Sequence, residues 1–189
     1  MIWRFVLAAD EKLLLAVRRL ESRPMTRLML FLTACGEPST WSVVGLSLAF
    51  GGGDGFRQFQ LLSIGALFAL AASQALKRLC CRKRPSSGIG GGFLALIENP
   101  DAFSFPSGHT AVAFAVALAL AGEGDGLGAL VLILALGIAV SRVYLGAHYP
   151  LDVAAGAILG AVTGAFAKLV LDGAQYLLLG SLNLGDFLV

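Results

Sequence analysis

The chain has 189 residues, of which 57% are hydrophobic and only 14% charged, against roughly 25% charged in ordinary soluble domains. At a mean hydropathy of +0.81, a chain this short has too little interior to hide its apolar residues. An ordinary soluble domain is therefore excluded and a multi-pass membrane protein expected. The net charge of +2 is small, and no nucleic-acid partner is expected.

In chain order, the opening "MIWRFVLAADEK" has an apolar run too short for a signal-peptide core, and acidic residues follow at once. Neither cleavage nor a targeting tag is expected. Residues 4–23 set Arg4, Lys12, Arg18, Arg19 and Arg23 between "FVLAA" and "LLLAV", a pattern that suits an amphipathic helix lying in the membrane interface. A terminal helix packed on the bundle is the alternative.

The apolar run Leu28–Phe50 is broken by Glu37-Pro38. Proline inside a helix removes a hydrogen bond and clashes with the preceding turn. Pro38 is therefore read as the first turn of a spanning helix, with Met25–Gly36 near the membrane surface; one kinked helix is the alternative. Four further stretches approach the roughly 20 apolar residues of a membrane span: Phe59–Leu76, Pro106–Ala121, Leu127–Gly146 and Val153–Leu171.

The expected fold is all-α, a membrane bundle of about five transmembrane helices plus N-terminal interfacial helices. It forms one domain over 1–189, with an interfacial segment over 1–36 and a core over 37–180. Breaks fall at "GGGDG" (51–55), "PSSGIGGGF" (85–93) and "GEGDG" (122–126). "GIGGG" lacks the Lys-Ser/Thr of a nucleotide loop and reads as a flexible loop that could gate access. Gly156, Gly160 and Gly164 share one helical face, where small residues permit close helix approach. Packing within the bundle is preferred there over a homodimer seam. Cys35, Cys80 and Cys81 form no disulfide framework and read as reduced packing residues.

Polar groups at membrane depth are functional suspects by default, and here they gather. Lys77 and Arg84-Pro85 follow one helix; Ser107, Gly108 and His109 open the next. Ser141 and Arg142 close another, and His148 and Asp152 flank Pro150 at the start of the last. Counting crossings puts all of them on one membrane face. The cluster is cationic apart from Asp152, so it suits an anion.

Arginines bind phosphate oxygens through paired, charge-assisted bonds, and lysine adds a point charge. Free amides of a helix beginning near Pro106 add donors and a favourable dipole. Two histidines suggest covalent catalysis, one attacking phosphorus and the other protonating the leaving oxygen. Asp152 lies four residues after His148 and can accept a bond from one imidazole nitrogen, leaving the other free to attack. His148 is therefore read as nucleophile and His109 as acid. Zinc on two His and one Asp is the rival, disfavoured by the neighbouring cations.

Three motifs stand in order: Lys, six residues, Arg-Pro in "KRLCCRKRP" (Lys77–Pro85); "PSGH" (Pro106–His109); and Ser-Arg, five residues, His, three residues, Asp in "SRVYLGAHYPLD" (Ser141–Asp152). In these the chain resembles the type 2 phosphatidic acid phosphatases, integral-membrane lipid phosphatases related in their site to vanadium haloperoxidases. The resemblance implies a helical membrane bundle and metal-independent hydrolysis through a phosphohistidine, with no cofactor. It implies His148 as nucleophile, Asp152 as its orienter and His109 as general acid. Lys77, Arg84, Ser107, Gly108 and Arg142 would hold the phosphate. Arg82 and Lys83 are not motif positions and read as solvated or headgroup-facing charges.

Many members of that family have six spanning helices; five are expected here, without the first, plus surface helices at the N-terminus. The expected substrate is a membrane lipid phosphate, undecaprenyl-type (polyprenyl) diphosphate before phosphatidic acid, phosphatidylglycerol phosphate or lipid A phosphates. A non-catalytic lipid-phosphate binder or transporter is the reading from another class. The expected location is the cell (inner) membrane. Basic residues are far denser on the active-site face than on the other, where Arg57 and Lys168 stand nearly alone. The positive-inside rule then favours the cytoplasm; cations that attract anionic lipid give the same bias, and the side stays open.

Overall fold

A computed structural model describes residues 2–89, 93–98, 101–123 and 126–185. Gly90–Gly92, at the heart of the expected gating loop, lie outside the described residues, as does the extreme C-terminus. Among the described residues the chain forms eight helices and no strand. They are α1 (Ile2–Arg18), α2 (Arg23–Ala34), α3 (Pro38–Phe50), α4 (Gly55–Cys80), α5 (Pro85–Gly88), α6 (Gly108–Leu120), α7 (Leu127–Tyr144) and α8 (Pro150–Gly185).

The Glu37-Pro38 break is real. Glu37 is extended (φ −72°, ψ 150°) and Pro38 begins α3 as a separate helix, so the run Leu28–Phe50 is two helices rather than one kinked one. Among the described residues, three helices are long and apolar enough to cross a membrane: α4, α7 and the Pro150–Leu177 part of α8. At 13 residues each, α3 and α6 are about 20 Å long, short of the roughly 30 Å hydrocarbon core. Pro106 lies just outside α6, which starts at Gly108 with Ser107 as its capping residue.

α6 is the axis of the bundle, packed against α4, α7 and α8. Its sequence "GHTAVAFAVALAL" is apolar on every side and mostly small, so it buries nearly all round: Ala111, Ala113, Ala115, Val116, Ala117, Ala119 and Leu120 are inside. The glycine stripe of α8 explains the fit. A Cβ at Gly156, Gly160 or Gly164 would press into the backbone oxygens of Ser107, Ala111 and Ala115 in turn. That face is filled by α6, which leaves no room for a dimer seam through it.

α1 combines both expectations for the N-terminus. Asp10 and Leu14, four apart, are buried against the bundle, while Phe5, Leu7, Leu13 and Leu15 are exposed. Cys80 and Cys81 are exposed rather than packed, and Cys81 closes α4 in the left-handed conformation. At the end of the bundle away from the motifs, Arg57 of α4 pairs with Glu123 (2.8 Å) and with Asp172 of α8 (2.7 Å).

Candidate active site

Four segments converge at the other end. α4 delivers Lys77 in its last turn, and α6 delivers Gly108 and His109 in its first. α7 delivers Arg142 in its last turn, and the link to α8 carries His148. The segment after α4 is folded back on itself: Lys83 bridges Phe103, and the Ser104 amide donates to the Arg82 carbonyl at 2.8 Å. That fold brings Arg84, Asp101 and Ser104 beside the helix ends.

These segments line one cavity of about 660 Å³, with Ser104 just behind its wall. Lys77, Arg84, Asp101, His109, Arg142, His148 and Glu37 form its polar end. Trp41, Leu46, Phe59, Leu62, Leu67, Leu70 and Val112 form the apolar remainder between α3, α4 and α6. Leu46, Leu67 and Leu70 are also exposed on the outer surface, so the apolar end opens sideways. A polar end this cationic, joined to an apolar side opening, fits an amphiphile with an anionic head.

His148 is almost wholly buried. Its Nδ1 lies 2.7 Å from the Ser104 carbonyl oxygen. A carbonyl can only accept, so Nδ1 carries the hydrogen and Nε2 holds the lone pair. Nε2 faces the Arg84 guanidinium at 3.4 Å. Burial pushes the imidazole down to about 4, Arg142 and Arg84 push the same way, and Asp152 opposes them. The ring is therefore neutral at pH 7, as a nucleophile requires.

Asp152 does not make the hydrogen bond to His148 that its spacing suggests. Its Oδ2 is 3.8 Å from Nδ1, beyond hydrogen-bond reach, and Ser104 takes that bond instead. Asp152 is fully buried behind the histidine. It accepts the Tyr149 amide at 2.9 Å and a 2.6 Å bond from Arg82, and so shapes the turn that carries His148. Arg82 is accordingly no solvated charge. It bridges Asp152 and the buried Asp10 of α1, both at 2.6 Å, and stacks on Tyr149.

The residues expected from the sequence to hold phosphate are only partly at the cavity. Lys77, Arg84, Gly108 and Arg142 line it. Ser107 is buried just behind, accepting from the Thr110 hydroxyl at 3.0 Å, with its amide given to the Asp152 carbonyl at 2.9 Å. The amides of the next residues in the first turn of α6 remain the donors, since helix-start N–H groups have no partner within their own helix. Arg142 is steadied by Thr33 of α2 at 2.6 Å.

Asp101 holds both Lys77 and Arg84, each at 2.6 Å, and thereby occupies donors that the phosphate reading assigns to substrate. Burial pulls its carboxyl upward, but the bonds from Lys77 and Arg84 win and hold it below the usual carboxylate range. Sequence reasoning missed Asp101, Ser104, Asp10, Thr33 and Glu37. Only Asp10, an acid within an apolar N-terminal helix, and Glu37, before a helix-starting proline, carried a signal.

What fold and site define is a membrane-embedded helix bundle with a cationic, two-histidine cavity at the ends of its helices. The chain belongs to the PAP2 superfamily, whose family model matches residues 59–175 and so includes every motif residue from Lys77 to Asp152. It is 36% identical over 123 residues to a decaprenylphosphoryl-5-phosphoribose phosphatase of Mycobacterium tuberculosis, covering 63% of this chain and 64% of the relative. It is 33% identical over 136 residues to an undecaprenyl-diphosphatase of Sulfolobus acidocaldarius, covering 70% of this chain and 64% of that one. The chain thus spans just under two thirds of the length of these curated relatives. A PAP2-type phosphatidylglycerolphosphate phosphatase from Bacillus subtilis shares its fold, with a TM-score of 0.70 at 24% identity over 89% of this chain and 87% of that one.

Proposed function

We propose that this chain is a multi-pass inner-membrane phosphatase that removes phosphate from lipid phosphates, polyprenyl diphosphates before others, through a phosphohistidine. The observation that carries this reading is the single cavity with histidines and cations at one end and an apolar side opening at the other. The names of the two relatives, both with polyprenyl substrates, support the choice among lipids.

In the proposed reaction, Lys77, Arg84, Arg142 and the first amides of α6 hold the phosphoryl group. Phosphate entry draws Lys77 and Arg84 away from Asp101. The His148 Nε2 lone pair attacks phosphorus while the bond from phosphorus to the bridging oxygen breaks. The departing oxygen takes the electron pair of that bond and a proton from His109. Water then attacks the phosphohistidine and gives His109 a proton, which frees His148 and inorganic phosphate. Three cations face the reacting groups, so charge on the transferring phosphoryl can be balanced by side chains, which supports a metal-independent route.

The test is phosphate release by detergent-purified protein in excess EDTA, across polyprenyl diphosphate, phosphatidic acid, phosphatidylglycerol phosphate and lipid A. Release is expected to be greatest with polyprenyl diphosphate, to survive EDTA, and to fall to background in His148→Ala. Lipid binding without turnover of any of the four would replace the enzyme with a lipid-phosphate binder.

A further inference from the structure

His109 meets a partner from far away in sequence. Glu37 Oε1 lies 3.1 Å from His109 Nε2, across 72 residues of chain. The approach is built by the elbow between α2 and α3. Gly36 sits so close that a Cβ there would fall 3.0 Å from the Ile138 side chain and 3.2 Å from the His109 ring. Pro38 fixes the start of α3, and the Thr40 hydroxyl donates back to the Ala34 carbonyl at 2.9 Å, bracing the elbow. One residue before that carbonyl, Thr33 holds Arg142. One short segment thus supports both a phosphate-binding arginine and the second histidine.

The charges around His109 explain why a carboxylate belongs there. Arg142 of α7 and Lys77 of α4 face it, with Arg84 and His148 in the same cavity. Among the described residues the other acid of the cavity is Asp101, which is already bound to Lys77 and Arg84. Burial and the two cations disfavour an imidazolium; a carboxylate in contact works against them.

We propose that Glu37 is a positioning residue for the general acid, accepting one N–H of the His109 imidazolium so that the other is aimed at the leaving oxygen. This rests on the reading of His109 as the acid. Glu37 touches neither phosphorus nor leaving group; it acts through His109. Its half-exposed side chain (50%) is free to follow the ring as the proton is given up and regained.

The signature is leaving-group dependence. An alkoxide must be protonated as it departs, whereas p-nitrophenolate leaves without help. In Glu37→Gln, kcat for an alkyl monophosphate is expected to fall about 30-fold, less than the roughly 100-fold or more that loss of a general acid itself costs. KM should stay unchanged, and the phosphoryl-transfer step with p-nitrophenyl phosphate, read as the burst of p-nitrophenolate, should keep nearly the wild-type rate. Glu37→Asp, which keeps the charge, should recover part of the loss. His109→Gln should show the same split, larger.

If His109→Gln shows the split and Glu37→Gln does not, or loses both substrates equally, Glu37 has no such role although His109 remains the acid. If His109→Gln itself shows no split, the acid reading falls and this inference falls with it.

Discussion

The two histidines share one cavity but are held in opposite ways. His148 is locked: 1% exposed, its Nδ1–H on a main-chain carbonyl, with Asp152, Arg82 and Asp10 stacked in buried bonds behind it. His109 is at the rim, 21% exposed, with a half-exposed carboxylate from a helix elbow against its ring. The difference matches what each role demands. A nucleophile needs one fixed tautomer, which a buried carbonyl provides, and a lone pair turned toward the cavity, where Arg84 meets it. An acid must lose and regain a proton in every turnover, which needs a charged partner and contact with water.

The comparison can be broken at the locked side first. Arg82→Ala strips two buried carboxylates of their shared cation and is expected to cost about 3 kcal/mol of stability, the lower end for breaking a buried pair. In the folded fraction, kcat should fall equally for alkyl and p-nitrophenyl phosphates, in contrast to the split expected at Glu37. Arg82→Lys, which keeps charge but loses the fork, should fold well and lose about tenfold. A loss confined to the alkyl substrate would place Arg82 on the acid side and dissolve the contrast.

A gentler test sharpens the same point. With its imidazole lowered to about 4 by burial, His148 should stay about nine-tenths neutral at pH 5, where an ordinary imidazole near 6.5 is almost wholly protonated. The sign follows from the role: attack needs the neutral ring, so the competent form is complete at pH 7 and is lost only as pH falls through about 4. Nitrogen chemical shifts of histidine-labelled protein would show this; a His148 midpoint between 6 and 7 would contradict it.

Much of this was legible in the sequence because it is local. Proline fixed the start of α3 after Glu37, the apolar runs marked α4, α7 and α8, and glycine spacing marked the packing face of α8. Motif spacing marked Lys77, Arg84, Gly108, His109, Arg142 and His148, which meet at the cavity. Contacts between distant segments were not legible. Ser104 reaches His148 across 44 residues, Asp101 reaches Lys77 across 24, and Arg82 reaches Asp10 across 72. Spacing alone therefore gave Asp152 a bond that belongs to Ser104, and left Arg82 in solvent when it joins two buried acids. The place of α6 was not legible either: its short apolar run marked a helix, but only the packing shows it as the core that the longer helices enclose.

The central claim is that His148 takes the phosphoryl group and His109 does not. Protein mixed with substrate labelled in its terminal phosphate, quenched in alkali and digested, tests it directly, because a phosphohistidine survives alkali and is lost in acid. The account predicts acid-labile label on the peptide carrying His148, accumulating with good leaving groups. Label on the His109 peptide, or full turnover with no label on either histidine, would contradict it.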